Sequence, residues 1–109
     1  MNDKDGESAA NASWQACVEE VMSICSSLNI ELILATIPNV PSTDAKNEYK
    51  NAYVVASGYR YIDFAKAVSL NGDSTWYDDM LSSDNIHPKA QGALALYSQA
   101  VATVPELLL

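Results

Sequence analysis

The stretch Ile30-Glu31-Leu32-Ile33-Leu34-Ala35-Thr36-Ile37 constrains the fold most. It is almost continuously apolar, with Glu31 breaking it near its start, and Pro38 ends it. A strand with one wet face alternates apolar and polar residues, whereas an unbroken run needs cover on both faces. That is the environment of a strand in a parallel α/β sheet. The run is far too short to cross a bilayer as a helix. We therefore expect a buried strand near residues 30–37.

The flanking segments supply the cover. From about Ala10 to Leu28, the apolar positions Trp14, Cys17, Val18, Val21, Ile24, Cys25 and Leu28 follow helical spacing, with Glu19, Glu20 and Ser27 opposite. This predicts an amphipathic helix that packs one stripe on a sheet, with Trp14 as a core anchor. The polar, small residues before it read as a loop. Ser42, Thr43 and Asp44 offer helix caps. They open a second helix that runs through about Ala56, with Gly58 as its stop. Residues 59–64 read as a second strand, rich in aromatics and broken by Asp63. Pro88 suits the first position of a last helix. That helix runs to about Val104, with Pro105 ending it. Helix, strand, helix, strand, helix is the rhythm of an α/β fold with parallel strands near 30–37 and 59–64 and three main helices. In such sheets ligands bind beyond the carboxyl ends of the strands.

Composition narrows the chemistry. At 109 residues the chain is one domain at most, and 49% hydrophobic residues place it in the globular range. A formal charge of −8 argues against nucleic acid, which needs a basic face. No membrane span is expected, and the amino terminus does not resemble a signal peptide. Cys17 and Cys25 lie eight positions apart on one expected helix, so about 12 Å separates them. That is too far for a disulfide between them, and both read as core thiols. One histidine and two distant cysteines do not make a metal site, and no cofactor is expected.

The chemical candidates sit at Asp84-Asn85-Ile86-His87-Pro88-Lys89-Ala90-Gln91-Gly92, which contains the only histidine. In one reading, Asp84 accepts a hydrogen bond from one ring nitrogen of His87 and leaves the other free to deprotonate a hydroxyl. In the other, Asp84 is solvated and His87 only helps to start a helix. Asn71-Gly72-Asp73-Ser74 contains the letters of a known nucleophile motif, but it follows no apolar strand and begins with a turn dipeptide. We read it as a surface turn. Trp76, Tyr77 and Met80 lead into the Asp84 loop, where they cover it or line a subsite.

The block D-x-x-H-P followed by a small residue, a glycine and an apolar helix resembles the last sequence block of the SGNH hydrolases, also called GDSL esterases and lipases. Residues 33–41, ILATIPNVP, resemble that family's fourth strand and the loop after it. Met1-Asn2-Asp3 resembles the end of its third block, G-x-N-D, without the glycine. The resemblance covers nearly the whole chain, but only the C-terminal part of a family domain.

The resemblance implies a partial three-layer α/β/α fold of the flavodoxin-like SGNH type, and a single incomplete domain over residues 1–109. It also implies Ser-His-Asp ester hydrolysis on small or sugar esters. His87 is then the base, Asp84 the acid that orients it, and Asn2 the oxyanion-hole donor. The blocks that carry the family's serine and oxyanion glycine have no counterpart here, so the chain alone is expected to be inactive. A missing neighbour strand would expose an apolar edge at residues 30–37, and we expect a homo-oligomer through that edge. The alternative from another class is a non-catalytic α/β interaction module.

Overall fold

The computed structural model describes residues 2–43 and 46–108, with side chains from Ser8 onward. The chain divides into two compact units, residues 1–33 and residues 34–109. The first is one helix, α1 (Asn2–Ser27). The expected loop before Ala10 is therefore helical from Asn2. Within α1, Trp14 is half-buried and Cys17 is exposed, so Cys17 is not a core thiol.

The end of α1 explains why the apolar run does not begin a strand at Ile30. Asn29 adopts a left-handed φ of 57°. The Asn29 N–H donates to the Ser26 carbonyl at 3.2 Å, and the Ile30 N–H to the Cys25 carbonyl at 2.8 Å. This pair of bonds is a Schellman cap. Ile30 thus belongs to the helix terminus.

The second unit contains β1 (Leu34–Ala35), α2 (Glu48–Ala56), β2 (Tyr61–Ile62), α3 (Phe64–Val68) and α4 (Ala90–Thr103). Single 3-10 turns lie at Pro41–Thr43 and Pro105–Leu108. The strands are parallel, with Leu34 opposite Tyr61 and Ala35 opposite Ile62. The fold is a small mixed α/β arrangement around this pair, as the apolar run predicts, but both strands are much shorter than 30–37 and 59–64. The described residues form no three-layer fold.

Two polar side chains set the strand ends. Asn51 on α2 reaches back to Ile37. Its Oδ1 accepts from the Ile37 N–H at 2.7 Å, and its Nδ2 donates to the Ile37 carbonyl at 2.9 Å. The side chain thereby takes the place of a neighbouring strand. After β2, Asp63 becomes the cap of α3 and accepts from the Lys66 N–H at 3.3 Å. Thr36, 3% exposed, ties the two exits together. It donates to Asp63 Oδ1 at 2.9 Å and accepts from the Ala65 N–H at 3.0 Å.

The core of this unit comprises Val54, Ala65, Val68 and Val104. α4 packs on α3 and β2, and α2 on β1. Helix α2 begins at Glu48, later than the cap residues suggest, because Thr43 turns inward instead. Its hydroxyl accepts from the Val40 N–H at 3.0 Å. Asp44 lies outside the described residues. Gly58, with φ of 83°, follows α2 as expected of a helix stop.

Candidate functional site

The Asp84 loop is closed by an antiparallel bridge between Leu81 and Pro88. The Ser82 N–H donates to the His87 carbonyl at 2.9 Å, and the Lys89 N–H to the Met80 carbonyl at 2.8 Å. Pro88 therefore ends the loop rather than opening the helix, and α4 starts at Ala90 with Lys89 as an extended cap. Inside the loop the Asn85 N–H donates to the Ser82 carbonyl at 3.0 Å, and Asn85 has a positive φ of 61°. Asparagine tolerates that conformation better than most residues.

The two oxygens of Asp84 have separate tasks. Oδ1 accepts three hydrogen bonds, from the Ser82 hydroxyl at 2.5 Å, the Ile86 N–H at 2.9 Å and the His87 N–H at 3.0 Å. Oδ2 lies 2.7 Å from His87 Nδ1. The carboxylate is thus held by the loop on one side and presents its other oxygen to the ring. The imidazole itself is 76% exposed. With Nδ1–H directed at Asp84, Nε2 is left as the acceptor.

This arrangement holds the Asp84 carboxyl well below the usual carboxylate range. The largest cause is the hydrogen bond from the His87 side chain. The Ser82 hydroxyl follows, then the backbone N–H groups of His87 and Ile86. A carboxyl depressed in the folded state contributes stability in full above its ordinary range, and that stability is lost progressively as pH falls from the ordinary value to the folded one. In the folded loop the Asp84 carboxylate is therefore expected to stay ionised through the range where ordinary carboxylates protonate. The amide shifts of Ile86 and His87, followed by NMR, check this. A transition within the ordinary range would contradict it.

The α4 contact fixes the loop against the rest of the unit. Gly92 is buried in the first turns of α4. A methyl group there would overlap the Met80 carbonyl oxygen and approach Pro88 Cβ to 3.2 Å. Met80 is the residue whose carbonyl receives the Lys89 N–H. An exposed pair, Lys89 Nζ and Asp79 Oδ1, lies alongside at 3.6 Å.

The structure brings Asp84 and His87 together. The Asn2 side chain lies outside the described residues. Ser82, whose hydroxyl completes the set around Oδ1, escaped the sequence reading. Its bond joins two side chains, and residue spacing alone gives no signal for it. The Asn71–Ser74 stretch is a turn, as read. Gly72 has φ of 73°, and Asp73 Oδ1 accepts from Ser69 Oγ at 3.0 Å and from the Thr75 N–H at 2.9 Å. Trp76 Nε1 donates to the Asn39 carbonyl at 2.6 Å.

No group of three or more metal-ligating side chains occurs among the described residues. No helix among them is long and apolar enough to cross a membrane. No protein-family model matches this chain, and no curated protein matches it.

Proposed function

We propose that this chain carries the acid and base of a serine ester hydrolase of the SGNH type, acting through an acyl-enzyme on small or sugar esters. The observation that supports the reading is the 2.7 Å contact between Asp84 Oδ2 and His87 Nδ1, with the ring open to a partner. His87 Nε2 takes the proton of a serine as it attacks the ester carbonyl, then gives it to the leaving alcohol. Asp84 holds the ring in the required tautomer and stabilises the imidazolium. Asn2, by the resemblance, donates to the tetrahedral oxyanion.

No stretch of this sequence is read as the block that bears the family's nucleophile, so the chemistry requires a serine supplied by a separate chain. A serine-directed fluorophosphonate tests this. The 109-residue chain alone is expected to resist labelling and to show no burst with p-nitrophenyl acetate. Combined with a polypeptide that carries the G-D-S block, it is expected to support labelling and turnover that disappear in His87→Ala. Labelling and turnover unaffected by His87→Ala would overturn the reading.

The same proposal makes β1 and β2 neighbours within a larger flavodoxin-like sheet. Among the described residues β1 has a strand on one side only, and Ala35 and Ile37 are exposed. The part of this edge that Asn51 does not cap then pairs with a second copy of the chain, giving a homo-oligomer. Sedimentation at micromolar concentration should show a dimer or larger assembly, and a monomer would contradict this part.

A further inference from the structure

We infer that the cleft at the carboxyl ends of β1 and β2 binds a small zwitterion with an apolar body, the chemistry of an aliphatic α-amino acid. The cleft has a volume of about 310 Å³. Sites for small molecules span roughly 300–1,000 Å³. It lies where open α/β sheets place their ligands, beyond the strand ends and beside the crossover helix. Ala52 and Val55 of α2, both exposed, and the buried Ala65 of α3 give it an open apolar floor, and Asp63, Lys66 and Asn71 are its polar lining residues. None of its lining comes from the Asp84 loop, so this inference stands apart from the esterase reading.

The polar groups have capacity left for a ligand. Asp63 uses Oδ1 for the Thr36 hydroxyl and the Lys66 N–H, and Oδ2 has no hydrogen bond among the described residues. The Lys66 ammonium joins no ion pair among them, with Asp63 or any other acid. The Asn71 carboxamide has no hydrogen bond among them either. Two residues of opposite charge, Asp63 and Lys66, therefore line the cleft without forming an ion pair with each other. A ligand with a carboxylate for Lys66, an ammonium for Asp63 and an aliphatic group for the floor matches all three. A ligand with only one charge would leave the opposite group partly desolvated and unpaired.

The test is an NMR titration of the 109-residue chain with L-leucine, isocaproate and isoamylamine. The last two lack the ammonium and the carboxylate, respectively. Leucine is expected to give saturable shifts at the amides of Val55, Ala65, Lys66 and Asn71. Each analogue is expected to bind at least about tenfold more weakly, the scale of one charge-assisted hydrogen bond. Lys66→Ala, at an exposed position, should keep the circular dichroism spectrum and weaken leucine about tenfold. It should leave isoamylamine unchanged. Absence of saturable leucine shifts at those amides, equal binding of the three compounds, or unchanged leucine affinity in Lys66→Ala would each overturn the inference.

Discussion

Gly92→Ala is expected to destabilise the protein, although alanine is the better helix former by about 1 kcal/mol. The added methyl group would occupy the space of the Met80 carbonyl oxygen and crowd Pro88. Neither can yield easily. The Met80 carbonyl is held by the Lys89 N–H, and Pro88 is bridged to Leu81. Overpacking of this kind costs about 1–3 kcal/mol. Relief requires α4 to move away from the loop, which breaks the bridge that closes it. A lower denaturation midpoint, with altered amide shifts at Ser82, Ile86 and His87, is the expected result. A midpoint raised above wild type would mean that helix propensity decides at this position and that the close approach carries no strain.

Asp84→Asn separates the mechanical role of the residue from its chemical one. The three donors at Oδ1 do not change, so the asparagine carbonyl oxygen takes that place. The amide nitrogen then faces His87 Nδ1, where a carboxylate oxygen stood. An amide N–H can only donate, so Nδ1 must accept and the ring proton moves to Nε2. The base is then blocked at the atom that has to receive the serine proton. In the serine-bearing assembly, kcat is expected to fall about ten-thousandfold while the loop stays folded. Asp84→Ala should also lose the loop, because Ser82, Ile86 and His87 lose their common acceptor. A modest loss of kcat in Asp84→Asn would remove Asp84 from the mechanism.

The elements legible in the sequence are those set by local pattern. The apolar run and the aromatic cluster located both strands, and helical periodicity located α1, α2 and α4. What the pattern missed was where each element stops, because those limits depend on polar contacts. Asn29 turns the chain at the end of α1 and draws Ile30 into the helix cap. Asn51 reaches across 14 residues to occupy the backbone of Ile37. Neither is visible as hydrophobic spacing. Pro88 fitted a helix start on general grounds, yet the Met80 carbonyl captures the Lys89 N–H and delays α4 to Ala90.

The Asp84–His87 contact was legible because it joins residues three apart on one turn. Ser82 was not, because its importance lies in which carboxylate oxygen it occupies. The larger sheet was an expectation from family resemblance, and the strands paired here extend over only two residues each.

The proposed chemistry depends most on Asp84 holding the proton of His87 at Nδ1. His87 is the only histidine in the chain, so a long-range nitrogen–proton correlation spectrum of the neutral ring needs no further assignment. The expected result is a protonated Nδ1 and a bare Nε2 in the wild-type protein, reversed in Asp84→Asn. A wild-type ring protonated at Nε2, or one that exchanges freely between both forms, would contradict the account.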